Sequence, residues 1–165
     1  TILPAWGLSN AAATLVGQNL GANSPERAEK SVWRTAQLTM IFLGLVSIVF
    51  YFGAEMVIGL FEAASVPRVS EIGVQGLRII CFGYLFFAYG MVITQAFNGA
   101  GDTKTPFFIN FFVFWVFQIP LAYLLALELG WNEMGVFVMI AIAHSVHAIV
   151  SVIIFRRGKW KLISV

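Results

Sequence analysis

Two histidines, His144 and His147, stand one helical turn apart inside a long apolar stretch and are the most conspicuous titratable groups in it. The spacing His-x-x-His lacks the glutamate of a zinc-protease helix and gives no reason to expect a metal. An imidazole within a membrane stretch is a candidate for taking up a proton or touching a substrate, and His144 sits near the middle of its run. The plainer alternative is a neutral ring bonded to a hydroxyl or carbonyl of a neighbouring helix. At helical spacing His144 shares a face with Phe137, Ile140, His147 and Ser151. A second face, Tyr84, Phe87, Met91, Gln95 and Asn98, combines aromatic, thioether and amide groups that suit varied amphipathic ligands. The same stripe equally suits helix packing, with Gln95 bonding across an interface. Asn110, Phe114 and Gln118 repeat every four residues, and because amides in lipid need partners this face points inward, to a cavity or to a core.

Nothing else in the chain suggests catalysis: no nucleophile constellation, cofactor fingerprint or metal cluster is visible, so neither an enzyme nor a bound cofactor is expected. A nucleic-acid partner is not expected either. Cys81 is the only cysteine, which rules out an intramolecular disulfide and a cysteine-based metal cluster.

The elements that must carry these residues follow from composition. Of 165 residues, 59% are hydrophobic and 11% charged, against roughly 25% charged in an ordinary soluble domain. The apolar residues come in blocks of about 20, enough as helix to cross a hydrocarbon core about 30 Å thick. Without period-2 alternation, the barrel strand is excluded and an all-α integral membrane bundle of about five helices is expected. The expected spans are 2–20, 36–61, 72–98, 107–127 and 134–155.

Local signals mark the connections. Ser24 is expected to cap a helix whose first residue is Pro25, and Thr105 to cap one opening at Pro106. Residues 62–71 are expected to be an aqueous loop, and Pro120 to kink its helix near Gln118. On the first helix Gly7, Asn10, Thr14, Gly17, Gln18 and Gly21 form a small, polar face, and Ala13, Gly17 and Gly21 invite close packing of another helix. Asp102 is expected either to bond the backbone of Gly99-Ala100-Gly101 or to pair with Lys104. Arg27 is expected to pair with Glu26 or Glu29, or to contact lipid phosphate.

Of the ten Lys and Arg residues, Arg27, Lys30, Arg34, Lys104, Arg156, Arg157, Lys159 and Lys161 fall at one end of the spans and only Arg68 and Arg78 at the other. Cytoplasmic connections carry the excess of such residues, which predicts a cytoplasmic C-terminus and an outer Thr1. A start at Thr1, without methionine and already in an apolar stretch, suggests a piece of a longer chain.

The residues Gly7-Leu8-Ser9, Ala12 to Ala22, and Pro25-Glu26-Arg27-Ala28 together resemble a pattern of the multidrug and toxic compound extrusion (MATE) transporters, in which Gly17, Gln18, Gly21 and Arg27 are motif positions. A second anchor, Ala96 to Pro106, is similar to a cytoplasmic turn of that family and includes Gly99, Gly101, Asp102 and Pro106. Gly135-Val136-Phe137 opening the last span fits the same pattern. The resemblance implies spans eight to twelve of a twelve-helix, two-lobe protein, that is, part of its C-terminal lobe. It further implies an antiporter of the cytoplasmic (inner) membrane that expels organic, often cationic, amphipathic compounds while sodium ions or protons enter. Its partners would be those small molecules, membrane lipids and an N-terminal lobe of the same chain. Some sodium-coupled relatives carry a carboxylate in the span matching 72–98, about where Phe87 stands, and here no Asp or Glu lies between Glu71 and Asp102. The coupling-ion site is therefore expected outside this chain. Two other readings remain: a flippase for a lipid-linked precursor within the wider superfamily, and a membrane scaffold that does not transport.

Overall fold

The computed structural model describes residues 2–61 and 66–162, and among these there is no strand. Helix α1 spans Ile2–Gly21, α2 Pro25–Phe52, the short α3 Ala54–Gly59, and α4 Pro67–Gly99. Helix α5 spans Lys104–Glu128 and α6 Asn132–Arg156, and a 3₁₀ turn, Lys159–Leu162, closes the described chain. The fold is an all-α membrane bundle. Among the described residues four helices, α2, α4, α5 and α6, are long and apolar enough to cross a bilayer. Helix α1 has the length, at 20 residues, but Ser9, Asn10, Thr14, Gln18 and Asn19 dilute its apolarity.

Much of the bundle's outside is greasy. Phe107, Phe111, Phe112, Trp115, Ile119 and Tyr123 of α5 are all exposed. So broad an apolar surface would aggregate in water and is at home against acyl chains.

Helix α4 is the hub, packing on α6, α2 and α1. Its Gly76, Gly83 and Gly90 recur every seven residues, the interval that keeps one seam facing a neighbouring helix. A Cβ at Gly76 would lie 2.7 Å from the Phe137 ring, at Gly83 3.3 Å from Ala141 Cα, and at Gly90 2.4 Å from His147 Nδ1. The absent side chains let α6 lie directly on α4. Gly135 does the same for α5 and α6, where a Cβ would come within 2.8 Å of the Ala126 backbone nitrogen.

Helix α1 buries Ala5, Ser9, Ala12 and Val16, not the expected small, polar stripe. Gly7, Asn10, Thr14, Gln18 and Gly21 are exposed, and nothing lies within 4 Å of a Cβ at Gly7 or Gly21. The close crossing is at Ala13 and Gly17: a Cβ at Gly99 of α4 would meet the Ala13 carbonyl oxygen at 2.2 Å. The first two members of the Ala13–Gly17–Gly21 motif are thus used against α4, and Gly21 is not, because α1 runs on past the end of α4 at Gly99.

Several terminal details differ from expectation. The apolar run expected to continue to Phe61 as one helix breaks at Gly53, whose amide donates to Val49 O at 2.8 Å before α3 restarts the chain. Helix α4 begins at Pro67, inside the stretch expected to be loop, since proline fits a first helical turn; residues 62–65 of that stretch lie outside those described. Helix α2 does start at Pro25, yet Ser24 makes no side-chain cap and its hydroxyl donates to Ala22 O at 3.3 Å. Helix α5 starts at Lys104, and the side chain that accepts one of its free amides is Asp102, not Thr105: Thr105 N–H donates to Asp102 Oδ1 at 3.0 Å. Asp102 therefore neither bonds the preceding glycines nor pairs with Lys104. Gly101 supplies the turn with its φ of 80°, in the left-handed region. Around Pro120 the helix does not break. Its turns widen to π-helical over Phe111–Gln118, and α-helical turns resume at Ile119. The missing proline N–H leaves a carbonyl without its usual donor, and a change of pitch redistributes that deficit.

The chain's last described turn folds back on the bundle. Trp160 is 1% exposed, stacks on Phe155 with centroids 4.6 Å apart, and donates its indole N–H to Phe155 O at 3.0 Å. Trp33 of α2 meets the same Phe155 edge-on at 5.5 Å, and Lys161 forms an ion pair with Glu29. Glu29 also accepts from Trp33 Nε1 at 3.2 Å. The Lys161 bond is the main influence holding the Glu29 carboxyl below its ordinary pKa, against the opposing effect of partial burial.

Candidate functional site

The polar groups named from sequence converge where α4, α5 and α6 meet. His147 is 6% exposed, and its Nε2 lies 2.9 Å from Asn110 Oδ1 of α5 and 3.5 Å from Thr94 Oγ1 of α4. An amide oxygen only accepts, so Nε2 carries the hydrogen and donates it to Asn110. The other nitrogen, Nδ1, is pressed toward Gly90, where a side chain would collide with it. One imidazole thus ties three helices together.

His144, one turn earlier, is the opposite case. Its Nδ1 is buried and has no hydrogen-bond partner. The ring is held between Phe87, edge-on with centroids 5.0 Å apart, and Phe114 at 5.4 Å. Phe114 also stacks on His147 at 5.2 Å. The partnered ring expected as the plainer alternative for His144 is found at His147 instead. A buried polar atom without a partner costs about 1–3 kcal/mol, which a ligand or water hydrogen bond would recover.

His144 borders a cavity of about 140 Å³ whose wall also includes Tyr84, Phe87, Leu43, Gly83 and Ile140. Tyr84 and Phe87, named from sequence as one face, and His144, named as a titratable group, therefore share one space. The volume holds a few waters or one small group and falls short of the roughly 300 Å³ at which drug-sized pockets begin. Met91 packs with Tyr84 and Phe87 against Ala5, Leu43 and Ala88. Gln95 is half-buried and accepts from Asn98 Nδ2 at 3.1 Å, one bond between the two amides near the C-terminal end of α4. Gln118 is half-buried on the π-helical stretch, one helical turn beyond Phe114.

Thr94, Gly90 and the bonding role of His147 escaped the sequence reading. The seven-residue glycine repeat of α4 was the available signal for Gly90, since it marks the seam on which α6 must lie. Nothing in the order of residues foretells which of two histidines finds an amide across the bundle. Arg78, at the end opposite most of the basic residues, is fully engaged: it donates to Tyr51 O at 3.3 Å, pairs with Glu55 at 3.3 Å and lies over the Tyr51 ring at 5.8 Å.

The model of the MatE family matches residues 1–124. The chain belongs to the MatE family. The probable multidrug resistance protein NorM of Thermotoga maritima is 26% identical over 161 residues, covering 98% of this chain and 34% of that protein. The probable NorM of Pseudomonas aeruginosa is 31% identical over 137 residues, or 79% of this chain and 27% of its own length. Among solved structures, the eukaryotic MATE transporter AtDTX14 superposes with a TM-score of 0.84 at 25% identity, over 95% of this chain and 35% of that one. The inward-facing conformation of a multidrug resistance MATE family transporter of the MOP superfamily superposes with a TM-score of 0.88 at 22% identity, over 99% and 38%. The MatE chain described here spans about a third of the length of these relatives, and the bundle of a multi-pass MATE membrane protein is what the two superpositions share with it.

Proposed function

We propose that this MatE chain forms one wall of the substrate path of a multidrug efflux antiporter. The protein would export organic, often cationic, amphipathic compounds by alternating access and exchange them for protons or sodium ions. The chain is read as part of the C-terminal lobe, working against an N-terminal lobe, in the cytoplasmic membrane with its basic end and C-terminus in the cytoplasm. The observation that carries this reading is the cavity that unites Tyr84 and Phe87 with a buried, unpartnered imidazole, His144. Aromatic faces attract flat cations and apolar bodies, and an unpaired ring nitrogen offers a directional bond. The cavity is too small for a drug alone, so the second lobe supplies the rest of the volume. With no carboxylate between Glu71 and Asp102, the coupling ion is assigned to helices outside this chain. Binding energy of substrate and ion is then spent on shifting populations between inward- and outward-open states.

The test is dye and drug efflux by the complete protein carrying Phe87→Ala or Gln95→Ala. Each variant is expected to shift the spectrum of exported compounds at unchanged membrane abundance. Unchanged efflux of every compound would remove that face from the path. His144→Gln should alter the pH profile of transport, and an identical profile would exclude a proton role for His144.

A further inference from the structure

Arg27, Lys30 and Arg34 lie at positions i, i+3 and i+7 of α2 and therefore share one helical face. They form one wall of a polar cleft of about 600 Å³ whose other wall is the end of α1, with Leu15, Gln18 and Asn19. Of the two roles expected for Arg27, an ion pair with Glu26 or Glu29 and contact with lipid phosphate, the ion pair is not formed among the described residues. Glu29 points to the other side of α2, where it is held by Lys161 and Trp33. Among the described residues the two ion pairs are Lys161–Glu29 and Arg78–Glu55, and neither involves the cleft.

Three like charges within two helical turns repel one another, and the first turn of α2 adds the positive end of its dipole. Such an arrangement calls for an anion. Its place along α2 points to the kind. Arg27 to Arg34 occupy the turns immediately before the apolar run of α2, the level at which lipid phosphates lie. On the opposite wall the exposed Leu15 offers an apolar contact beside the cations, and Gln18 and Asn19 offer amide groups. A free phosphate would use the cations but gain nothing from Leu15.

We propose that this cleft binds the headgroup phosphate of an anionic glycerophospholipid. Juxtamembrane cations contribute about 1 kcal/mol each toward anionic lipid, which is roughly fivefold in affinity per residue. The proposal does not depend on the direction of transport or on the substrate. The experiment uses the complete protein in nanodiscs of phosphatidylcholine with and without phosphatidylglycerol, reading retained phosphatidylglycerol by native mass spectrometry. A combined Arg27→Gln, Lys30→Gln, Arg34→Gln variant is compared with a Lys104→Gln, Arg157→Gln, Lys159→Gln variant that removes the same charge from the same end. The cleft variant is expected to lose retention by about tenfold or more, with the control close to the unaltered protein. Equal losses in the two variants would overturn the proposal in favour of diffuse attraction to the basic end. Displacement of phosphatidylglycerol by millimolar inorganic phosphate would overturn it in favour of a free-phosphate site. Retention unaffected by the cleft substitutions would show that another part of the protein covers the cleft, and would also overturn it.

Discussion

At the scale of single residues, Gly90 governs the imidazole that joins three helices. A methyl group there would lie 2.4 Å from His147 Nδ1, so the ring must tilt and its 2.9 Å bond to Asn110 must stretch or break. Gly90→Ala is expected to destabilise the bundle by about 1–3 kcal/mol, the range for overpacking a close contact. Thermal unfolding in detergent measures this. Because the two changes act on one bond, Asn110→Ala should cost less in the Gly90→Ala background than alone, and simple additivity of the two losses would contradict the coupling. Gly83→Ala, with 3.3 Å to Ala141 Cα, should be milder. From sequence the amide of Asn110 was readable as inward-facing, since lipid offers it no partner. The partner itself was not readable, because the pairing runs across 37 positions of chain and is set by how α5 lies against α6.

At the scale of elements, the crossing of α1 and α4 depends on one glycine. A Cβ at Gly99 would lie 2.2 Å from the Ala13 carbonyl oxygen, and a backbone atom cannot swing aside as a side chain can. Gly99→Ala should therefore separate the two helices and sharply lower the folded fraction recovered from membranes, as read by size-exclusion fluorescence. Gly21→Ala, with nothing within 4 Å, should leave recovery unchanged even though Gly21 belongs to the same motif as Gly17. Equal sensitivity of the two positions would refute this geometry. The small-residue stripe was legible as a packing signal, but which of its members meet a neighbour depends on the angle at which the helices cross. The long helices themselves were legible because apolar run length dictates them. The break at Gly53 was missed because glycine inside an apolar run is compatible with continuing helix, and only the packing of α3 under α4 decides against it.

At the scale of the whole molecule, the C-terminal turn straps the basic ends of the helices together through Trp160, Phe155, Trp33 and the Lys161–Glu29 pair. The Glu29 carboxyl has its pKa lowered in the fold, so its contribution is present above the ordinary glutamate range and is lost as pH falls through the folded value. Lys161→Gln should lower stability at neutral pH by under about 1 kcal/mol, the scale of a partly exposed pair. The difference from the unaltered protein should vanish in acid, and a gap that persisted below the folded value would show that Lys161 acts through something other than Glu29. Trp160→Ala should cost more, about 3–5 kcal/mol, because it empties a fully enclosed site.

The sequence by itself determined that this chain is helical and crosses a membrane, since its apolar blocks can satisfy their backbones only as helices once water is gone. It also determined, through two glycine-bearing anchors and the basic turns around them, the family to which the chain belongs. Tertiary structure alone decided that His147 is bonded and His144 is not, that Tyr84, Phe87 and His144 share a cavity, and that Arg27 is left without an acidic partner. The physical reason is common to all three. Hydrogen bonds, cavities and ion pairs here join helices distant in sequence, and their partners depend on crossing angles and depths that no local pattern encodes.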